Sequence, residues 1–570
     1  MSNKNTEQAE ELAELKKVQK KGGLAKLRLY TRLAGPGWLQ SALMLGGGSL
    51  AGSLYLGVLT GVSLIWLQPV AMVLTIVMFG VLSYVVLSIN ESPFKAINRR
   101  INPVLGWSWA IAALLSCMVW AMPQYTLAVG VMQQNLMPVL FGSDGPFGDF
   151  YSRVIITATV FILGTTVVWQ YSKAGKAIKR FDWVLKAMIY IVVASFIGVV
   201  IRLSVTPGGL DWVPILKGMI PDPSLFFRPA DGYNTLLEAV PVEFRKYWSD
   251  VIVARQREVM IAVTAAAGGV NATFLLAYSL LSRGWGKEYR GLAIFDLSTG
   301  MLIPFAIATT CVVIAGAHQF HAVPQPGFVS TERVEEPVVE PTDTHIREFE
   351  QLLRGRIIAE EGYENIAEIP ENVMEQRIER VSDAERTVAA TLVTRDAFDL
   401  ASSLEPLTGS LFARVIFGIG VLGMTISTVI IHMLVSGMVI CEMMGRKHTG
   451  MVMRMGTLAA ATGILGPFIW QQAAFWLVVP TFVFGFILIP STYFTFFLMM
   501  NKRELMGDQM VTGNNRTYLN IIMIALIIIM SLVSVFVIWI NAGEWGIAAI
   551  VVFIIAIITG HFHVKNKQLK

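Results

Sequence analysis

Apolar residues in this chain fall into long runs separated by short polar breaks, the pattern of a polypeptide that crosses a bilayer many times. About 20 apolar residues suffice to span hydrocarbon as a helix. Twelve such runs can be placed, near 33–61, 64–90, 104–136, 153–171, 183–203, 259–281, 292–320, 409–441, 452–470, 472–500, 518–541 and 544–561. They predict an all-α integral membrane protein of 12 transmembrane helices. Basic residues then orient the spans. The N-terminal segment carries Lys16, Lys17, Lys20, Lys21, Lys26, Arg28 and Arg32, and every second loop after it is also basic. Those loops hold Lys95, Arg99 and Arg100; Lys173, Lys176, Lys179 and Arg180; Arg283, Lys287 and Arg290; Arg446 and Lys447; and Lys502 and Arg503. The short loops between them, at 62–63, 471 and 542–543, carry no Lys or Arg. Both termini are therefore expected in the cytoplasm of a multi-pass protein of the plasma (inner) membrane, with an even number of spans.

What lies between the spans divides the chain. Residues 1–32 read as a cytoplasmic tail, 33–320 as helices 1–7 with a long external loop at 204–258, 321–408 as a second external loop, 409–561 as helices 8–12, and 562–570 as a cytoplasmic tail. The loop at 321–408 has 19 Asp and Glu against 8 Arg and no Lys, a net charge of −11 in a chain whose total is +5. One reading is a cap that concentrates cations near an entrance. The plainer one is a solvated, partly helical insertion around "REFEQLLRGRIIAEE".

Glycine breaks the apolar pattern twice. Residues 44–54 read "MLGGGSLAGSL" in the first span, and 264–279 read "TAAAGGVNATFLLAYS" in the sixth. A glycine costs roughly 1 kcal/mol relative to alanine inside a helix. Gly46, Gly47, Gly48 and Ser49 thus match Gly268, Gly269 and Asn271, with Thr273 just beyond, five spans apart. Interrupted helices at corresponding places in two halves mark an inverted-repeat transporter whose substrate sits at the midplane. Unwound backbone survives at that depth only where it lines a polar cavity. Close packing is the competing explanation, since Gly48 and Gly52 also form a GxxxG pair.

Composition agrees with the class and narrows the chemistry. The chain is 54% apolar and 15% charged, with a mean hydropathy of +0.59, which excludes an ordinary soluble domain. Some thirty polar residues precede the first span, which is too long for a signal-peptide core, so the N-terminus is expected to be retained. Cys117, Cys311 and Cys441 sit inside spans without CxxC spacing and suggest neither disulfides nor a thiolate metal site. No phosphate-binding loop, HExxH motif or nucleophile–base pair is present, so no enzyme, cofactor or nucleic-acid partner is expected. Partners reduce to the lipid bilayer and a small solute or hydrated cation. Ser427 and Thr428 in helix 8 are candidate ion ligands, with back-bonding to their own turn as the alternative. His432, deep in the same helix, is a candidate proton-carrying or gating group by default.

These stretches resemble the Nramp transporters, members of the amino acid-polyamine-organocation superfamily with the LeuT fold. "LAGPGWLQSALM" looks like the family's first helix, "LFARVIFGIGVLGMTIST" with "VSGMVICEMMG" its eighth, and "FILIPSTYFTFFLMMNKRELMGD" the end of its tenth. The resemblance implies a LeuT-type inverted repeat with helices 1 and 6 broken, and alternating-access transport of a divalent metal ion of the Mn or Mg type. Two departures stand out. Where the family has Asp-Pro-Gly-Asn, this chain has Gly46-Gly47-Gly48-Ser49, and where it has Met-Pro-His, this chain has Asn271, Ala272 and Thr273. The metal-binding carboxylate and thioether are thus replaced. A sodium-coupled symporter of a small organic solute, and a non-transporting receptor or scaffold on the same fold, remain as alternatives.

Overall fold

Proline and glycine set where the helices begin and stop. The computed structural model describes residues 2–19, 23–89, 91–142, 144–171, 176–206, 209–328, 341, 343–361, 371–395, 399–400, 405, 409, 411–469 and 488–569. Among them, ten helices are long and apolar enough to cross a membrane, or eleven when one bent pair counts as a single span. The expected span at 472–500 lies outside the described residues over 472–487; its end is the helix Ile489–Asn501.

The bent pair is the first span. Helix α1 (Pro36–Met44) starts with Pro36 in its first turn, where the missing N–H costs nothing, and α2 (Gly47–Thr60) follows at an angle of 57°. Next come α3 (Leu67–Ile89), α4 (Pro103–Gly130), α5 (Gly148–Tyr171) and α6 (Lys176–Val205). Asn102 caps α4 by accepting a hydrogen bond from the Val104 amide at 2.8 Å. The sixth span is again two helices, α7 (Val242–Ala266) and α8 (Val270–Ser282). A seventh crossing ends in α9 (Ile303–Phe320).

The acidic segment contains three helices, α10 (Asp343–Glu361), α11 (Glu371–Glu379) and α12 (Asp383–Leu392). Beyond it run α13 (Phe417–Met443), α14 (Gly450–Thr457), α15 (Ile489–Asn501) and α16 (Gly513–Leu569). Two crossings merge in α16 because Gly543, at φ 51°, bends the chain without a separate loop.

Two expectations need correction. The sixth span was expected at 259–281 with 204–258 as loop, yet α7 begins at Val242 and carries "VEFRKYWSDVIVARQRE" as helix. Its polar character hid it, because that stretch packs against the acidic segment rather than lipid. The second correction concerns Gly47, Gly48, Ser49 and Asn271, which are not in unwound backbone: they open the helices α2 and α8.

Burial separates centre from rim. The most apolar window of the α7–α8 span is 89% buried, against 33% for α5 and 11% for the last crossing. Every residue of α2 is buried. Rim helices instead present Ile521, Ile528, Leu532 and Trp539 outward, as a lipid-facing surface requires.

Candidate functional site: a cavity between two helix breaks

The first break is two residues long. Leu45 (φ −79°, ψ 61°) leaves the helical region and Gly46 (φ −105°, ψ 178°) is extended, after which α2 resumes. At the second, Gly269 is extended (φ −90°, ψ 166°) and serves as N-cap of α8. Each break therefore presents the carbonyl-rich end of one helix and the amide-rich end of the next, with partial charges of opposite sign.

Side chains reconnect these loose ends. The Gly47 amide donates to Gln124 Oε1 on α4 at 2.8 Å, and the Ser49 hydroxyl donates back across the break to the Met44 carbonyl. Gln40 Nε2 donates to the Ala272 carbonyl at 3.1 Å, tying α1 to α8. From α13, the Thr428 hydroxyl reaches the Ala42 carbonyl at 3.0 Å and its own turn at Met424 at 2.9 Å.

Between the breaks lies a small cavity of about 20 Å³. The structure brings seven of the expected residues to its wall: Gly46, Gly48, Ser49, Gly269, Asn271, Thr428 and His432. Gly47, Gly268, Thr273 and Ser427 are not on it. A Cβ on Gly47 would sit 2.8 Å from Leu127 Cδ2, and one on Gly268 would sit 2.7 Å from Thr75 Cγ2, so both glycines serve close helix packing. Thr273 accepts a hydrogen bond from Trp109 Nε1 at 2.8 Å and donates to Val270, and Ser427 bonds only within its own turn, to Met424 at 2.9 Å.

Sequence reasoning missed Met44, Trp120, Pro123 and Gln124, which also line the cavity. Charged side chains mark intramembrane sites most directly, and α4 has none at this depth. The usable signal was the Pro123-Gln124 pair in an apolar span: an internal proline frees a carbonyl, and a buried amide needs a partner.

No carboxylate lines the cavity, and among the described residues no group of three or more His, Cys, Asp or Glu could hold a metal ion. Carboxylates stand instead at the two ends of the bundle. At the basic end, Asp296 accepts from the Gly35 and Gly37 amides at 3.1 and 2.7 Å and so caps α1. Nearby, Arg283 pairs with Asp182 at 2.6 Å. Ser92 joins Tyr278 of α8 at 3.1 Å to Glu442 of α13 at 2.5 Å, and His448 Nε2 lies 3.0 Å from the same carboxylate. At the opposite end, Arg255 of α7 donates to Tyr55 of α2 at 3.0 Å and to Glu348 of α10 at 2.8 Å. Glu348 also accepts from the Thr394 amide and hydroxyl, both at 2.9 Å. One end thus fastens α1 and α8, the other α2 and α7.

A multi-pass bundle whose first and sixth spans are both interrupted beside one buried cavity has the LeuT-type inverted-repeat architecture. Comparison with known proteins agrees. Residues 383–540 match the sequence model of the Nramp family, described as natural resistance-associated macrophage protein-like, over about a quarter of the chain. The fold is similar to that of the Eremococcus coleocola manganese transporter in complex with an aromatic bis-isothiourea substituted compound. That likeness has a TM-score of 0.62 at 12% identity and covers 96% of this chain and 97% of that one. A mutant of the same transporter gives a TM-score of 0.58 at 14% identity with the same coverage. No curated protein matches the chain.

Proposed function

We propose that this protein is a Nramp-related secondary transporter that carries a small cation, a divalent metal ion of the Mn or Mg type, by alternating access. It does so across the plasma (inner) membrane, with both termini in the cytoplasm. The observation that carries the reading is the placement of the cavity: it lies where both broken helices stop, and hydrogen-bonded networks fasten it at both ends. Carbonyls at the ends of α1 and α7 and the imidazole of His432 provide the neutral ligands. Such a site lacks the fixed negative charge that holds a hard, dehydrated cation, so affinity is expected to be modest.

A sodium-coupled organic symporter finds less support. About 20 Å³ takes one water-sized occupant rather than an organic solute. Thr428 also hydrogen-bonds directly to the helix-1 carbonyl that a sodium ion would otherwise bridge. Purified protein in liposomes decides the matter. Uptake of a divalent cation along its gradient supports the proposal, sodium-dependent uptake of an organic solute supports the rival, and silence toward both leaves a receptor or scaffold.

A further inference from the structure

Large apolar side chains crowd the surface of one short stretch between α6 and α7. A helix of six residues, Trp212–Lys217, and the turn after it leave Trp212, Val213, Leu216, Met219 and Ile220 between 47% and 67% exposed. Water-facing surfaces rarely carry so many such groups together. The other side of the stretch is fixed. Ile215 is buried, and Gly218 approaches the turn between α2 and α3 so closely that a Cβ there would lie 1.9 Å from the Val62 carbonyl oxygen. The Gly218 carbonyl also accepts from the Trp66 amide at 3.0 Å. Asp211 caps the helix by accepting from the Val213 amide at 3.0 Å, and the Gly218 and Ile220 amides carry the winding on by donating to Pro214 at 2.8 Å and Lys217 at 3.0 Å. Its exposed face is therefore held by backbone bonds on a built element.

That element stands at the boundary of the bilayer. The turn it is bonded to joins two spans, α2 ending at Thr60 and α3 beginning at Leu67. Val70 and Val73 near the start of α3, and Ile201 and Val205 near the end of α6, are exposed, so the patch continues the lipid-facing rim. Trp212 and the exposed Lys217 suit this level. An indole bridges apolar and polar zones, and a lysine stem lies along apolar surface while its ammonium reaches the headgroups.

We propose that residues 212–220 form an interfacial foot that seats in the phospholipid leaflet at the end of the bundle bearing the acidic segment. A helix seated in this way sinks its apolar face roughly 5–10 Å into the boundary between headgroups and acyl chains. Because Gly218 is bonded to the turn that follows α2, the foot gives that half of the broken first span a fixed point in the leaflet. It does so whatever the cavity carries.

The full-length protein in phosphatidylcholine liposomes tests this through Trp212 itself. Its fluorescence is the difference between the parent and Trp212→Phe, and lipids brominated near the top of the acyl chains quench indoles at that depth. The difference is expected to lose most of its intensity in the brominated lipid and to resist aqueous iodide. The corresponding difference for Trp248→Phe should respond to neither, since Trp248 is buried in protein. A Trp212 signal quenched by iodide and untouched by bromine overturns the foot and leaves a wet loop. A nitroxide on Leu216→Cys decides the matter where Trp212→Phe does not fold, with the labelled parent as background for Cys117, Cys311 and Cys441. Collision with oxygen but not with a water-soluble nickel chelate is the expected result, and collision with the chelate overturns the proposal. Shielding from both assigns the face to protein contact, a second copy of this chain if Leu216→Cys chains cross-link to one another, and overturns it as well.

Discussion

Gly269 and Gly47 show how differently two glycines of one motif act. A Cβ added to Gly269 would lie 2.5 and 2.6 Å from the Trp120 ring, on the cavity wall. The ring must move, so Gly269→Ala is expected to cost about 1–3 kcal/mol by overpacking and to abolish transport in the folded fraction as well. At Gly47 the added Cβ would meet Leu127 Cδ2, the far end of a flexible side chain, at 2.8 Å, and Gln124 Oε1 at 3.2 Å. Gly47 is off the cavity, so Gly47→Val is expected to lower the melting temperature while protein that stays folded keeps most of its flux. Melting and uptake measured on one preparation of each variant check both outcomes, and normal melting with lost flux in Gly47→Val would place that residue in the pathway after all. Sequence alone treats "GGGS" as a unit because adjacent glycines look alike. Only the neighbours, Leu127 for one and Thr428 at 3.0 Å for Gly46, tell packing from lining.

Elements were legible where the pattern had one cause and illegible where it had two. The helix breaks could be read because glycine clusters recur at corresponding places five spans apart, a recurrence that close packing alone does not require. The outer half of α7 could not, since a helix covered by protein on its polar face has the composition of a loop. Trp248 of that stretch donates to Glu385 of α12 at 3.2 Å, and Arg356 of α10 donates to the same oxygen at 2.7 Å. Burial raises the Glu385 carboxyl, but the hydrogen bonds from Arg356, Trp248 and Ser382 outweigh it and hold the group below its ordinary value. Because the folded value is depressed, this stabilisation is complete above the ordinary glutamate value of about 4.3 and is lost as pH falls through the folded one. Acid is therefore expected to loosen α10 and α12 from α7 before the bundle melts. The difference in fluorescence between the parent and Trp248→Phe should change in that acid range, and Glu385→Gln should flatten the change; a signal that stays constant down to global unfolding would contradict it.

At the scale of the whole molecule, the two end networks divide the broken helices between them: Asp296 and the Tyr278–Ser92–Glu442 set hold α1 and α8, while Arg255 and Glu348 hold α2 and α7. An alternating-access protein must release one such set while keeping the other, so weakening either should tilt the resting equilibrium in a defined direction. Removing one partner of a buried ion pair costs about 3–5 kcal/mol, enough to shift a two-state population by orders of magnitude when the states differ by a few kcal/mol. Glu348 is 4% exposed and its partner Arg255 12%, which puts Glu348→Ala in that range. A cysteine at Ser49, on the cavity wall, reports the outcome through its reaction with a membrane-impermeant thiol reagent, against the background of Cys117, Cys311 and Cys441 in the unmodified chain. In the Ser49→Cys protein, Glu348→Ala is expected to speed labelling from the side bearing the acidic segment and to slow it from the basic side. Glu442→Gln should do the reverse, since it strips charge from the link between Ser92 and His448. If both substitutions speed labelling from the same side, the networks do not oppose one another, and the closed cavity reflects static packing instead of one stage in a transport cycle.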